Sequence, residues 1–251
     1  MLRKLILLAF LLGLTQSAHA AYARVRLCPS GGITGGNNSG TTVACGFASN
    51  GAGHILIVWS AAQTGTATAT IADSPSGNTY TVIASAQVFN GMTLYVWAAY
   101  NAIASAGTNT ITVTWNATLS HMYLGGSEYS GNATSNALDQ TATASSSPTP
   151  AAPVSPNVTT TQGGELLIGI FAGGNGSNAT VAAGSWTIIA ATTTGCCSPG
   201  WEDQINIATG TYQAQFTDTG NASNGPTHIS TYVGTAVAGG GASKKKKVVF
   251  Y

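Results

Sequence analysis

The chain has 251 residues, and only 6% of them are charged, against roughly 25% in ordinary globular domains. Between Leu27 and Ser243 there is no Lys and no Arg, while all seven acidic residues fall in that stretch. This excludes nucleic-acid binding by the body, bidentate Arg recognition of anions, lysine Schiff-base chemistry and a Lys–Asn isopeptide staple.

The N-terminus has the three zones of a secretory signal. Arg3 and Lys4 precede an apolar run, Leu5 to Leu14, and Ala18-His19-Ala20 has the small-x-small pattern of a cleavage site. Residues 1–20 are therefore expected to be removed after Ala20. The apolar run is too short to span a bilayer comfortably. No cysteine stands at the cleavage point, which argues against a bacterial lipoprotein.

Turn clusters divide the body, residues 21–240, into strands. Ile55-Leu56-Ile57-Val58-Trp59 is a short apolar run that fits a strand buried on both faces. Thr66 to Ile71 and Tyr80 to Ala84 follow as strands. Met92 to Ala99 puts Met92, Leu94 and Val96 on one face and Tyr95 and Trp97 on the other. Ile111-Thr112-Val113-Thr114-Trp115 alternates, with Ile, Val and Trp inward. A further strand runs around Tyr123 to Tyr129. Ser49-Asn50-Gly51, Ser76-Gly77-Asn78, Asn90-Gly91 and Gly107-Thr108-Asn109 mark turns. No helical period follows the signal segment. A hydrophobic content of 44% and the repeated strands argue against disorder.

The second half repeats the first weakly. Gly53 to Ala61 lines up with Gly164 to Ala172, Tyr80 to Ala84 with Trp186 to Ala190, and Gly107-Thr108 with Gly210-Thr211. These matches predict pseudo-repeats at about 21–144 and 157–238, joined by the Pro/Ser-rich segment 145–156, which cannot form a central strand. That segment is either a linker between two domains or a crossover on one combined sandwich. Gly239-Gly240-Gly241 sets off the tail, 241–251, in which Lys244, Lys245, Lys246 and Lys247 precede Val248-Val249-Phe250-Tyr251. The tail is expected to stay solvated, as a solubilising end or as a contact to an anionic surface. The fold expectation is all-β: a jelly-roll-like or Ig-like β-sandwich with two pseudo-repeats.

Asp73-Ser74-Pro75-Ser76-Gly77-Asn78-Thr79-Tyr80, the Trp97 strand, Asn109 to Val113, Glu128-Tyr129-Ser130-Gly131 and Leu138-Asp139 resemble a group of secreted, largely uncharacterised bacterial β-sandwich proteins. The Gly164 to Ile168 strand fits the same pattern. The resemblance covers roughly Gly53 to Gly234. It implies a sandwich fold and export, and it implies no activity.

Candidate chemistry is sparse. Export makes disulfides plausible among Cys28, Cys45, Cys196 and Cys197. Cys28–Cys45 is the simplest pair, and the adjacent Cys196 and Cys197 either bond each other or reach separate partners. No His stands at metal-ligand spacing near them. His54, His121 and His228 read as strand-edge residues bonded to backbone, and no G-x-S-x-G elbow occurs. Asp73 with Ser76 and Asn78 offers oxygens to Ca²⁺ but lacks the repeated acids of a calcium loop, so an Asp-initiated turn with no cofactor is the expectation. Trp59 and Trp115 read as core. Tyr95, Trp97 and Trp201 are the candidates for an exposed sugar-stacking platform. Asn-x-Ser/Thr sequons at Asn37, Asn116, Asn132, Asn157, Asn175, Asn178 and Asn221 are explained by composition.

Two functions compete. The first is a secreted, non-catalytic protein acting in surface adhesion, glycan contact or envelope structure, with glycans or another surface protein as partners and no transmembrane segment in the mature chain. The second is a secreted carbohydrate-active enzyme using Glu128, Asp139 or Glu202. Glu202 and Asp203 are adjacent, so on a strand they face opposite sides. Exported protein should begin at Ala21; Edman sequencing that returns Met1 from the exported fraction would refute the signal reading.

Overall fold

The computed structural model describes residues 19–36, 39–48, 50–63, 67–89, 91–146, 152–174, 185–192, 197, 199–218 and 225–236. Most of the expected signal segment, the middle of the Pro/Ser-rich segment, Cys196 and the lysine tail lie outside them. The strands are β1 (Ala23–Cys28), β2 (Thr34–Gly36), β3 (Gly40–Phe47), β4 (Ile55–Gln63), β5 (Ala69–Ser74), β6 (Thr81–Phe89), β7 (Met92–Ala99) and β8 (Asn109–Leu119). They continue as β9 (Met122–Ser130), β10 (Leu138–Ala144), β11 (Val158–Thr159), β12 (Glu165–Ala172), β13 (Thr187–Ala191), β14 (Pro199–Ile207), β15 (Thr211–Tyr212) and β16 (Thr227–Tyr232). The protein is all-β, built of antiparallel sheets with no closed barrel, as a β-sandwich is. Among the described residues no helix is long and apolar enough to cross a membrane.

Four sheets stack as layers. The first large sheet runs β1-β9-β4-β7-β6, with β2 also on β9, and the second runs β10-β16-β12-β14-β13. Their facing sides share one core, in which Ile55, Ile57, Trp59, Leu94 and Val96 meet Leu166, Ile168, Ile170, Trp201 and Tyr232. A small sheet, β3-β8-β5, covers the far side of the first large sheet through Phe47, Ile111, Val113, Trp115, Leu56, Val58 and Trp97. The pair β11-β15 covers the far side of the second, where Val158, Ala214 and Phe216 pack on Leu167, Phe171 and Ile229. Strands β4, β7, β9, β12, β14 and β16 are thus buried on both faces over most of their length, and β4 and β12 accordingly read as largely apolar runs.

The two large sheets have the same strand order. β1, β9, β4, β7 and β6 hold the places of β10, β16, β12, β14 and β13. The three sequence matches fall on strands in corresponding places, and Gly53 and Gly164, just before β4 and β12, share a left-handed φ of 74° and 78°. The sequence division needs one correction. β10 pairs with β16 in the second sheet, so the chain changes sheets at 131–137, before the Pro/Ser-rich segment, which joins β10 to β11. Leu138 packs on the same core that holds Tyr232.

The N-terminal strand ties both halves. Tyr22 exchanges backbone hydrogen bonds with the Asn206 side chain, at 2.6 and 3.1 Å, and its hydroxyl donates to the Val233 carbonyl at 2.7 Å. Cys28 and Cys45 form a disulfide between β1 and β3. Deep in the core the Trp59 ring lies over Gly125, where a Cβ would stand 2.5 Å from Nε1. Trp59 also packs edge-to-face on Trp201, with centroids 6.0 Å apart, so the ring cannot retreat. Gly125→Ala is expected to cost about 1–3 kcal/mol through overpacking, measured as a lower denaturant midpoint; an unchanged midpoint would contradict this seating.

Candidate functional site

All the charge of the described body lies inside it. Each Asp, Glu and Arg among the described residues is buried or half-buried, and none is exposed. Buried charges must be paired or neutral, and both solutions are used.

Glu128 on β9 is fully buried and anchors one centre. Its Oε2 lies 3.0 Å from Arg26 Nε, directly across on β1. Its Oε1 accepts the Gly51 backbone N–H at 2.7 Å and lies 2.6 Å from His54 Nδ1. A Cβ at Gly51 would collide with the His54 ring at 2.4 to 2.9 Å, so glycine is required there. Behind Gly51, Asn50 is 4% exposed. Its Nδ2 donates to the Ile103 carbonyl, and its Oδ1 accepts Ser76 Oγ at 3.2 Å.

The other acids do not join this centre. Glu202 points to the opposite outer side, into the β11-β15 layer, and accepts the Gln215 N–H at 2.9 Å. Asp203 faces the central core, bonded to Arg24 at 3.1 Å and to the Tyr129 hydroxyl at 2.7 Å. Asp139, the extra residue of a bulge in β10, accepts the Thr161 N–H and hydroxyl at 2.8 Å each and interacts with buried Glu165. Glu128, Asp139 and Glu202 therefore sit at three separate places, each committed to its own partners. A glycosidase needs two carboxyl groups flanking one cleft, and the carboxyls named from the sequence do not converge.

The aromatic platform is corrected outright. Tyr95 and Trp97 are 8% and 2% exposed and stack on each other at 5.3 Å under the small sheet, while Trp201 is fully buried on Trp59. Their place in the apolar strand around Val96 marks core for Tyr95 and Trp97, as alternation does for Trp59 and Trp115. Asp73 accepts hydrogen bonds from Asn78 N, Tyr80 OH and Asn109 Nδ2 at 2.7 to 3.0 Å, so donors face the oxygens offered to Ca²⁺. Among the described residues no three His, Cys, Asp or Glu side chains gather as metal ligands. His54 and His228 bond the side chains of Glu128 and Thr143 and not backbone. Cys197 is buried and disulfide-bonded, and Cys196 lies outside the described residues, as do Lys244 to Lys247.

Among the described residues the exposed positions carry no Asp, Glu, Lys or Arg. On β3-β8-β5 the exposed side carries three ranks: Thr42, Thr114 and Thr70; Ala44, Thr112 and Ala72; Gly46, Thr110 and Ser74. Threonines recur every second residue along β8, about 7 Å apart, and neighbouring strands lie about 4.8 Å apart. The opposite outer layer exposes Thr159 and Thr211, whose hydroxyls meet at 2.9 Å. An open groove beside the first array is lined by Gly46, Ala48 and Pro29 with Arg26. Sequence reasoning singled out β8 for its inward residues and missed its outward threonines, which the same alternation specifies. It also missed Asn50, Arg26 and Glu165 as partners, because their pairings are non-local.

Burial pushes Glu202 up to about 8 and Glu165 up to about 7, from 4.5, with Asp203 and Asp139 respectively adding repulsion. Their stability contribution is present below the unfolded value and is lost as pH rises through 7 to 8. His228, held neutral by burial at about 3 instead of 6.5, has the opposite sign: its contribution is present above 6.5 and is lost as pH falls. The thermal midpoint should therefore be highest in mildly acidic buffer and decline toward about pH 8, with Glu202→Gln flattening the alkaline side. A midpoint rising from about pH 6 to about pH 8 would contradict the assignment.

No family model matches this chain, and no curated protein matches it.

Proposed function

We propose that the protein is a secreted, non-catalytic β-sandwich that acts at surfaces outside the cell, in adhesion, glycan contact or envelope structure, through its neutral outer faces. The observation that carries this reading is that no Asp, Glu or Arg side chain in the described body is exposed. Hydroxyl-bearing threonines and small residues make up the outer side of β3-β8-β5. Each threonine hydroxyl both donates and accepts, as the hydroxyls of a neutral polysaccharide do. A neutral face gains nothing from an anionic partner and loses nothing when salt screens charge. Any attraction of Lys244 to Lys247 to an anionic surface is a separate, salt-sensitive contribution.

Retention on insoluble neutral polysaccharides should be unchanged between low salt and about 1 M, and no sugar should be released. Combined Thr110→Val, Thr112→Val and Thr114→Val keeps shape and strand propensity but removes three hydroxyls, and should weaken retention about tenfold or more. Deleting residues 244–251 should leave this retention intact while removing binding to anionic vesicles. Hydrolysis abolished by Glu128→Gln would overturn the non-catalytic reading.

A further inference from the structure

We propose that Asn50–Gly51 is a self-modifying site, at which Glu128 acts as the base for cyclisation of Asn50 to a succinimide and its hydrolysis to aspartate or isoaspartate. Each of the three groups that reaction uses has a polar partner suited to its part. The nucleophile is the Gly51 backbone nitrogen, whose N–H donates to Glu128 Oε1 at 2.7 Å. The electrophile is the Asn50 side-chain carbonyl, whose Oδ1 accepts the Ser76 hydroxyl at 3.2 Å. The leaving group is Asn50 Nδ2, held by the Ile103 carbonyl. A base at the nucleophile and a donor at the oxygen that gains charge are the two elements of acyl-transfer catalysis. His54 Nδ1, 2.6 Å from the same Oε1, orients the carboxylate. The contact of the Gly51 position with the His54 ring excludes any side chain there, which leaves the following residue the one that hinders attack least.

The atoms balance as follows. Gly51 N attacks Asn50 Cγ, forming the N–Cγ bond, and its proton passes to Glu128. The carbonyl electron pair moves to Oδ1, where Ser76 holds it. When the pair returns, the Cγ–Nδ2 bond breaks, and Nδ2 takes the proton from Glu128 and departs as ammonia. One water then adds across either imide C–N bond, giving aspartate or, with the chain routed through the side-chain carbon, isoaspartate. The Asn50 carbonyl accepts the Ser105 N–H at 3.1 Å, so in isoaspartate the group that ties the β3–β4 to the β7–β8 connection changes from a backbone carbonyl to a free carboxylate.

The chain supplies its own references, since Asn-Gly also occurs at Asn90, Asn175 and Asn224. Folded protein is incubated at neutral pH and each site is followed by peptide mapping and isoaspartate detection. Asn50 should convert fastest of the four and lose that lead in denaturant. Glu128→Gln should slow it about 100-fold, the low end of a general base's contribution, without slowing the other three. Ser76→Ala, at the more exposed end of the network, should slow it about tenfold, and decides the matter if Glu128→Gln does not fold. Asn50 persisting in folded protein while it converts in denaturant would overturn the proposal and mean that the same contacts lock the amide. Equal rates in Ser76→Ala and the parent protein would overturn the role of the Oδ1 donor.

Discussion

Covering a sheet on both faces removes the outward side on which its polar residues would ordinarily sit. Here two large sheets are covered in this way, by each other and by a small sheet each, and the rest of the molecule answers that constraint. The acidic residues of β9, β12 and β14 have no water to face. Arg26 and Arg24, each about one-third exposed, reach inward to Glu128 and Asp203, while Glu202 escapes the cost of a buried charge by staying protonated. Removing one partner of such a buried pair typically costs 3–5 kcal/mol, because the other charge is left stranded. The few charges of the described body are therefore internal fittings, and its exposed residues are chiefly Thr, Ser, Asn, Gly and Ala.

A neutral surface raises a difficulty at the sheet edges. Many β proteins protect edge strands with lysine, and this body has none. The four edge strands of the large sheets, β1, β6, β10 and β13, each carry a register shift instead, with the extra residue on the edge strand. A bulge twists the strand and breaks its row of hydrogen-bonding groups. The shifts recur at corresponding places: Val25 and Asp139 bulge beside Tyr129 and Tyr232, and Ile83 and Ile189 bulge beside the Trp97–Val96 and Glu202–Trp201 steps. At Asp139 the same irregularity turns a carboxyl toward Thr161, while at Val25 it leaves an apolar side chain 39% exposed.

Strand identity was legible because period-2 alternation and apolar runs depend only on neighbours in the chain. Met92, Leu94 and Val96 against Tyr95 and Trp97 are separated in the fold as their spacing predicts. The matched segments on β4 and β12, and on β6 and β13, were legible as well. What the sequence could not carry was the number of layers. Tyr95 and Trp97 looked available for ligand because a two-layer sandwich leaves one face of each strand outside, and four layers do not; Trp201 looked available because it reads as loop-borne, and it lies instead on β14 in the core between the large sheets. The Glu128 centre was illegible for another reason: Arg26, Gly51, His54 and Glu128 are brought together by pairing of β1 and β4 with β9, and nothing local marks that register.

The order of strands along the chain also sets the order in which these layers can close. The first large sheet is complete once Ser130 has been added, since β1, β4, β6, β7 and β9 all precede it. Its inner face, with Ile55, Ile57 and Trp59, then lies bare until β12, β14 and β16 arrive, because the second sheet is central to that core. β10 must wait as well, as its partner β16 is the last of the described strands. A chain synthesised from its N-terminus thus presents a half-built, sticky layer to its surroundings for the time taken to add the second hundred residues or so. The interval between emergence of Ser130 and of Tyr232 is the period in which this protein most needs a chaperone.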